Sequence, residues 1–257
     1  EPERDMKKFA PAALAFAAAL TAAPLAADGI ADMSDAERAT FRAEVRDYLL
    51  QNPEVLLEAI AVLEDRQAQA ETVQDQAMVM ANAEALFDSQ FDWEGGNPDG
   101  DIVLVEFMDY RCGYCRRAQP DVERLVSSDG NIRYIVKEFP ILGDQSVMAS
   151  RFAISTRQNI GDDAYELVHV ALMEMRGDVT EDSLHRLAEG LDLDADVILG
   201  GMDAPEVDQV IAANHALAGV LQISGTPTFV MNDQLLRGYL PYEGMAALAA
   251  EIRPQTN

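Results

Sequence analysis

The sequence predicts an α/β fold in which helices precede a βαβ unit, a helical block follows, and a β-hairpin with a final helix comes last. Three observations support this order. Apolar runs at 102–107 and 132–136 have strand character and flank a helical segment. Residues 145–223 show helical spacing, and two short strand runs flank the turn residues Asn232 and Asp233. The strands of a βαβ unit are normally parallel, with a right-handed crossover.

The N-terminal segment 1–27 has the pattern of a secretory signal peptide. Residues 6–8 are Met-Lys-Lys, residues 9–20 are apolar and rich in alanine, and residues 24–27 offer a cleavage site. We therefore expect export to the periplasm and removal of this segment. The alternative is a buried N-terminal helix.

Residues 34–87 are predicted to be helical throughout. Residues 34–37 fit a capping box. Asn52 followed by Pro53 predicts a new helix, with Asn52 as its N-cap. That helix is apolar on more than one side, so it needs more than one partner. The partner is either the domain that follows or, as we favour, a second copy of the chain.

The later elements follow from the same rules. Turn residues at 93–100 predict a break before the first strand. A short helix over 116–126 is expected to be kinked at Pro120. Glycines, including Gly200-Gly201, are predicted to separate the helices of the block. The last predicted elements are strands over 228–231 and 234–237 and a helix over 242–252.

Charge and histidine placement exclude some functions. The net charge is −26, which argues against nucleic-acid binding because that function needs a basic surface. It also disfavours docking on anionic lipid. His169, His185 and His215 lie at no metal-ligand spacing, so we expect surface or capping residues and no metal site.

Cys112 and Cys115 are the only cysteines in the chain. Within one chain this pair can form only the Cys112–Cys115 disulfide, and closing so short a loop adds about 2 kcal/mol of stability, less than a long loop does. The pair is therefore better suited to redox chemistry than to holding the fold. A helix is predicted to begin here, and a helix N-terminus favours a thiolate at Cys112, the candidate nucleophile. Cys115, one turn further, is expected to be less exposed and to act as the resolving thiol.

Three sequence blocks, at 103–115, 136–143 and 225–229, resemble the DsbA-like family of thioredoxin-fold proteins. The preceding helices are similar to the N-terminal region of ScsC-like proteins, in which such helices drive oligomerisation. The fold class is thus predicted as a thioredoxin fold with a helical insertion and an N-terminal helical stalk. The predicted parts are a signal peptide (1–27), a helical oligomerisation region (28–89), and a thioredoxin-fold domain (90–257) with its insertion at about 145–223.

The resemblance also implies roles for single residues. Cys112 attacks and Cys115 resolves. Thr226-Pro227 matches the loop that holds a cis proline opposite the cysteines, where the Thr226 backbone pairs with an extended substrate. Glu106 matches a buried acid that exchanges protons with the resolving thiol. The alternative is that Glu106 is a half-exposed strand residue.

Gly113 and Tyr114 lie between the two cysteines and are predicted to set the redox potential and to contact substrate. This dipeptide differs from the Pro-His of strong DsbA-type oxidases and resembles that of periplasmic disulfide isomerases. The alternative is that Tyr114 is a surface aromatic residue with little effect.

The predicted function is a periplasmic thiol–disulfide oxidoreductase, either an oxidase or an isomerase, that needs no cofactor beyond its cysteines. The implied partners are client proteins with thiols or disulfides, a DsbB-like or DsbD-like membrane redox partner, and further copies in a dimer or trimer. One alternative is a Cu(I)-binding protein of copper tolerance, because two soft thiolates suit Cu(I). Another is a purely structural interaction module based on the N-terminal helices.

Overall fold

A computed structural model describes residues 33–253, and the predicted signal peptide lies outside this range. The described chain divides into two units, residues 33–62 and residues 63–253. The division falls within one long helix. The boundary predicted between residues 89 and 90 therefore lies inside the second unit.

Two helices make up the N-terminal region, α1 (Asp35–Gln51) and α2 (Glu54–Ala81), and α2 continues into the second unit. The predicted capping box is confirmed, since Ser34 and Glu37 bond reciprocally at the start of α1. The prediction of Asn52 as an N-cap is wrong. Its side-chain amide donates to the Tyr48 carbonyl oxygen at 2.9 Å, so Asn52 closes α1 instead.

The helices of residues 33–62 expose much apolar surface. No side chain of α1 is buried. Leu57, on the first part of α2, keeps 69% of its surface exposed. Large exposed apolar patches are rare on soluble monomers and typically mark an interaction site. The exposed large apolar residues of this unit are Phe41, Val45, Tyr48, Leu50, Leu56, Leu57, Ile60 and Val62.

A five-stranded sheet organises the second unit. Its strands are β1 (Trp93–Gly96), β2 (Ile102–Met108), β3 (Ile132–Glu138), β4 (Thr228–Met231) and β5 (Gln234–Arg237). Their order across the sheet is β1-β3-β2-β4-β5. Strands β2 and β3 are parallel, which confirms the βαβ unit, and β4 and β5 form the predicted hairpin.

Strand β1 lies where the sequence predicted a break. Trp93 pairs with Val136 of β3 in antiparallel register. The prediction missed this strand because two of its four residues are glycines and its pairing partner is distant in the sequence. Gly96 has φ of 71°, and a Cβ there would lie 2.4 Å from the Ile132 carbonyl oxygen. Only glycine fits that close approach.

The remaining helices are α3 (Ala83–Phe87), α4 (Gly113–Asp129), α5 (Asp144–Asn159), α6 (Asp162–Glu174), α7 (Glu181–Gly190), α8 (Ala195–Gly201), α9 (Pro205–Val220) and α10 (Tyr242–Ile252). Helix α4 crosses between β2 and β3 and continues through Pro120. Helices α5–α9 form the insertion between β3 and β4. Gly200-Gly201 ends α8 and α9 begins at Pro205, so these glycines lie at the boundary between two helices, as predicted.

Both faces of the sheet are covered. One core contains Leu104 and Val136 and packs against α4, α5, α6 and α10. The other contains Val105 and Ile135 and packs against Val79 of α2, against α3 and against α9. Alternate residues of β2 and β3 thus face opposite cores, as the period of a strand requires. Glu106, like Leu104, faces the first core, on the side where α4 lies.

Candidate active site

The loop from β2 into α4 is fixed by the buried Asp109. Its carbonyl oxygen accepts a hydrogen bond from the Cys112 N–H at 3.0 Å. Its carboxylate accepts the N–H groups of Arg111 (2.7 Å), Ile141 (2.8 Å) and Leu142 (3.0 Å). One aspartate therefore ties the approach to Cys112 to the segment that follows β3.

Cys112 is the N-cap residue of α4, and Cys115 lies in its first turn. Both are free thiols in this structure. Cys112 keeps 7% of its surface exposed and Cys115 none, so Cys115 is the less exposed of the two, as predicted. The helix N-terminus directs the backbone N–H groups of its first turn toward the Cys112 sulfur.

The two sulfurs have opposite electrostatic environments. A hydrogen bond from the Cys115 thiol lowers the pKa of Cys112 to about 5, assisted by the backbone N–H groups of Cys115 and Tyr114 and opposed by burial. Donating that hydrogen bond, together with burial and the nearby Glu106, raises the pKa of Cys115 far above that of an ordinary thiol. Cys112 is therefore the thiolate at neutral pH and Cys115 the thiol.

The Thr226–Pro227 peptide bond is cis, as the resemblance implied. The Cys112 thiol in its protonated form donates to the Thr226 carbonyl oxygen at 3.1 Å. The Pro227 carbonyl oxygen accepts the Gly238 N–H at 3.0 Å, which ties the loop to the end of the hairpin. The structure therefore brings Cys112, Cys115, Thr226 and Pro227 together.

Glu106 lies on β2 and is completely buried, so the alternative of a half-exposed strand residue is wrong. The Tyr134 hydroxyl donates to its Oε2 atom at 2.5 Å. Its Oε1 atom is buried and has no hydrogen-bond partner among the described residues. Burial raises the pKa of Glu106 to about 7 although the Tyr134 hydrogen bond lowers it, and the Cys112 charge raises it further.

Gly113 and Tyr114 lie on the open surface beside Cys112. Gly113 is exposed, and a Cβ placed there would contact no other residue. Tyr114 keeps 61% of its surface exposed, and the Arg117 guanidinium lies 6.0 Å from its ring centroid. Both residues are thus available to a partner that approaches the Cys112 sulfur.

Comparison with known proteins assigns the family. The family model described as DSBA-like thioredoxin domain matches residues 103–250, more than half of the chain. The chain belongs to the DsbA-like thioredoxin-domain family. A second family model, described as copper resistance protein ScsC N-terminal domain, matches residues 37–70. The predicted thioredoxin fold and the ScsC-like N-terminal region are thereby confirmed.

Several solved structures are similar to this DsbA-like chain. A thioredoxin-like oxidoreductase from Silicibacter pomeroyi is 40% identical, with a TM-score of 0.62 over 66% of this chain and 98% of that one. Proteus mirabilis ScsC with a linker deletion is 26% identical, with a TM-score of 0.63 over 85% and 96%. A periplasmic thioredoxin-like protein from Salmonella enterica serovar Typhimurium is 27% identical, with a TM-score of 0.58 over 66% and 94%. The chain therefore has a thiol–disulfide oxidoreductase fold.

The curated relatives are much longer than the matched region. A Na(+)/H(+) antiporter NhaA 3 of Salinispora tropica is 28% identical over 166 residues, which cover 62% of this chain and 25% of that protein. An NhaA 1 of Salinispora arenicola is 29% identical over 59% of this chain and 23% of its own length. The chain thus spans about a quarter of these relatives. Within residues 33–253, no helix is long and apolar enough to cross a membrane.

The DsbA-like domain holds a further buried carboxyl group, which the sequence did not indicate. Glu138, at the end of β3, accepts hydrogen bonds from Tyr110 (2.8 Å), Tyr165 (2.7 Å) and Ser150 (2.6 Å). Burial raises its pKa to about 7. These hydroxyl groups come from the active-site approach, α6 and α5, so Glu138 ties the insertion to the sheet. No local pattern reveals it, because its partners lie far apart in sequence.

The predicted surface position is wrong for His169, which is buried against the hydroxyl of Tyr110 and the side chain of Gln119. Burial lowers its pKa to about 4, so it is neutral at pH 7. His215 is exposed and packs on a phenylalanine ring, and His185 is partly exposed beside acidic side chains. In the part of the chain that the structure describes, no group of three or more His, Cys, Asp or Glu residues is arranged to hold a metal ion.

Two arginines flank the cysteines, and the sequence analysis assigned them no role. Arg111 donates to the Gly177 carbonyl oxygen at 2.7 Å. Arg116 donates to the carbonyl oxygens of Tyr110 (2.7 Å) and Met175 (2.8 Å). Both guanidinium groups thus connect the start of α4 to the segment between α6 and α7. These two arginines could have been identified from the sequence, because they directly precede Cys112 and directly follow Cys115.

Proposed function

We propose that this chain is an exported thiol–disulfide oxidoreductase that acts on the cysteines of other exported proteins, with isomerisation as its favoured mode. One observation carries the proposal. The Cys112 sulfur, whose pKa is lowered to about 5, lies at a helix N-terminus between the buried Cys115 thiol and the Thr226 backbone. A thiolate beside a second thiol and beside the backbone of the cis-proline loop suits attack on an extended disulfide-bonded segment.

The reaction begins when the Cys112 thiolate attacks one sulfur of a client disulfide. A bond forms between Cys112 and that sulfur, and the other client sulfur leaves as a thiolate. In isomerisation, a client thiolate then attacks the mixed disulfide, forms a new client disulfide and regenerates the Cys112 thiolate. In reduction, the Cys115 sulfur displaces the client, which leaves as a dithiol while Cys112–Cys115 is oxidised to a disulfide. The reverse sequence is client oxidation.

Glu106 supports the step in which Cys115 attacks. The Cys115 thiol must lose a proton before its sulfur can act as a nucleophile, because its pKa is strongly raised. Glu106 has a pKa of about 7 and an unpartnered buried oxygen, so it can accept that proton near neutral pH. In the reverse direction, protonated Glu106 returns the proton to the leaving Cys115 sulfur.

Self-association of residues 28–89 would complete the isomerase. The helices of residues 33–62 expose a run of large apolar side chains, including Leu57 and Ile60, and residues 37–70 match the ScsC N-terminal model. Association through these side chains would bury apolar surface and bring two or three sites around one client. A reduced isomerase would depend on a DsbD-like membrane partner, whereas an oxidase would depend on a DsbB-like one.

The sequence pattern of residues 1–27 supports export to the periplasm. So does the similarity to the Salmonella protein, which is described as periplasmic. An oxidising compartment is also where a pair of cysteines functions most readily in disulfide exchange.

Trapping of client proteins tests the proposed function. In a Cys115→Ser variant the mixed disulfide on Cys112 cannot be resolved internally, so adducts that reducing agents release should accumulate. The matched control is Cys112→Ser, which should trap nothing and should lose all exchange on a scrambled disulfide substrate. Absence of adducts from Cys115→Ser, or equal trapping by both variants, would show that Cys112 is not the nucleophile.

Cu(I) binding is a second candidate function, favoured by the match to a copper resistance domain and by two adjacent sulfurs. Soft thiolates suit Cu(I). The raised pKa of Cys115 opposes this role, because a thiol must lose its proton to bind the metal. Exchange rates measured with and without Cu(I) separate the two functions. If the protein binds Cu(I) tightly but cannot reshuffle a scrambled substrate, the result would favour the Cu(I)-binding function over disulfide exchange.

A further inference from the structure

The two carboxyl oxygens of Glu106 have different surroundings. Oε2 accepts a hydrogen bond of 2.5 Å from the Tyr134 hydroxyl. Oε1 is buried and has no hydrogen-bond partner among the described residues. A buried polar atom without a partner costs free energy, so such atoms are uncommon in native proteins and need an explanation.

The fold holds Tyr134 in this position. Glu106 pairs with Val136 across the β2–β3 ladder, and Tyr134 is two residues away on β3 and faces the same core. The Tyr134 ring meets Trp93 edge to face, with centroids 6.0 Å apart. Burial and the Glu106 charge raise the pKa of Tyr134 well above that of a free phenol, so its hydroxyl stays protonated and can only donate to the carboxylate.

Among the described residues, the titratable groups that influence the pKa of Glu106, or whose pKa Glu106 influences, come from β3 and from the start of α4. Tyr134 lies on β3, and Cys112 and Cys115 lie at the start of α4. Strand β4 places Phe229 opposite Glu106. Glu138 is a buried acid at the end of β3, and it accepts hydrogen bonds from three other hydroxyl groups.

We propose that Tyr134 is a positioning residue for the proton transfer between Cys115 and Glu106: its hydroxyl occupies Oε2 and leaves Oε1 as the oxygen that exchanges the proton. This inference rests on the proposed function of Glu106. Without the hydroxyl, both oxygens compete for the proton and the carboxylate loses the one hydrogen bond that the described residues give it. Tyr134 therefore orients the carboxyl group and also favours its charged form.

The step that depends on Tyr134 is the resolution of the mixed disulfide. The Cys115 thiol gives its proton to Oε1 of ionised Glu106, and its sulfur forms a bond to the Cys112 sulfur. The bond between Cys112 and the bound thiol breaks, and that thiol leaves as a thiolate with the electron pair. The Cys112–Cys115 pair is oxidised by two electrons, and the disulfide that entered is reduced by two.

An acid-quenched time course with oxidised glutathione measures this step in the full chain. Intact mass separates the glutathione mixed disulfide from the Cys112–Cys115 disulfide, so the rate of conversion can be followed from pH 5 to pH 9. The test variant is Tyr134→Phe. The matched control is Tyr165→Phe, because Tyr165 is also buried, also packs on Trp93, and also donates to a buried carboxyl group, Glu138. Glu106→Gln removes the titrating carboxyl group and therefore tests whether this group causes the pH dependence.

In the wild type, the rate of conversion should rise through a midpoint near pH 7, where Glu106 ionises. Loss of one hydrogen bond to the carboxylate should move that midpoint in Tyr134→Phe upward by about one pH unit, which lowers the rate at pH 7 about fivefold. Tyr165→Phe should keep the wild-type midpoint. Glu106→Gln should lose the pH dependence between pH 6 and pH 8.

The outcomes separate the inference from the proposed function. If Glu106→Gln loses the midpoint but Tyr134→Phe keeps it, the role of Tyr134 is wrong and the role of Glu106 stands. If Glu106→Gln keeps the wild-type profile, both roles are wrong. If no mixed disulfide forms in the wild type, the proposed function itself fails. Equal shifts in Tyr134→Phe and Tyr165→Phe would also overturn the inference, because the effect would then be one of packing.

A second variant makes the test independent of the stability of Tyr134→Phe. Replacing Tyr134 by 3,5-difluorotyrosine keeps the ring and the hydroxyl and makes the hydroxyl a stronger donor. The midpoint should then move downward, opposite to the shift in Tyr134→Phe. An unchanged or raised midpoint would contradict the inference.

Discussion

The Thr226 carbonyl oxygen lies 3.1 Å from the sulfur of Cys112, although the two residues are 114 positions apart in the sequence. The helical insertion α5–α9 accounts for most of that separation, and the sheet closes it by pairing β4 with β2 in antiparallel register. This contact places the backbone of the cis-proline loop beside the Cys112 sulfur. We propose that an extended client segment pairs with this backbone while its disulfide is exchanged.

The reduced protein should be more stable than the oxidised protein at neutral pH, because the stabilised Cys112 thiolate, present only in the reduced form, contributes more than the roughly 2 kcal/mol that the short disulfide loop adds. The pKa of Cys112 is lowered in the folded state to about 5, so this contribution is present above the pKa of an unfolded thiol and is lost as the pH falls through about 5. Thermal melting of both forms between pH 4 and pH 8 measures the difference. A difference that stays constant across this range would contradict the thiolate assignment.

The exposed apolar surface of residues 33–62 should be required for self-association. Replacing both Leu57 and Ile60 by glutamate should convert an oligomer into a monomer, because each introduces charge where apolar side chains are expected to pack. Disulfide exchange should remain, and isomerisation of a scrambled substrate should fall by about tenfold or more as linked sites are lost. Sedimentation and refolding assays measure these effects.

Leu167→Glu is the matched control, since Leu167 is 52% exposed on α6, outside the N-terminal unit. It should change neither the assembly state nor isomerisation. A wild-type protein that sediments as a monomer would contradict the prediction of self-association.

The buried ion pair between Lys137 and Asp92 should be sensitive to removal of one partner. The Lys137 Nζ atom lies 2.5 Å from the Asp92 carboxylate, and both side chains are almost completely buried. Lys137→Met leaves the charge of Asp92 buried and unpaired, and it should lower the free energy of unfolding by about 3–5 kcal/mol. Urea denaturation measures the change.

The double variant Asp92→Asn with Lys137→Met should recover part of this loss, because no buried charge remains. Glu243→Gln serves as the control, since its ion pair with Arg124 is exposed and should contribute less than about 1 kcal/mol. Equal losses in the single and double variants would show that packing of the lysine stem, and not its charge, explains the effect.

Local patterns predicted the elements that carry the chemistry. The position of Cys112 and Cys115 at a strand-to-helix junction, the hairpin at Asn232-Asp233 and the final helix follow from short-range rules, and the structure has them. The cis bond before Pro227 followed from family resemblance and not from propensity. The placement of the two cysteines was therefore the most predictable part of the molecule.

Features that depend on distant partners were not predictable in this way. Strand β1 resembles a turn until it pairs with β3. The burial of His169 depends on Tyr110 and Gln119, which other elements supply. Likewise, nothing local indicates that Tyr134 reaches Glu106, because the hydrogen bond joins residues 28 positions apart on neighbouring strands.

The pH dependence of Cys112 alkylation tests the central claim most directly. Iodoacetamide reacts with the thiolate, so its rate of reaction with the reduced protein reports the pKa of this sulfur. The account predicts a midpoint near pH 5, and an upward shift of about one to two pH units in Cys115→Ala, which removes one hydrogen bond to the charged sulfur. A wild-type midpoint at the ordinary thiol value of about 8.5, or no reaction at Cys112, would contradict it.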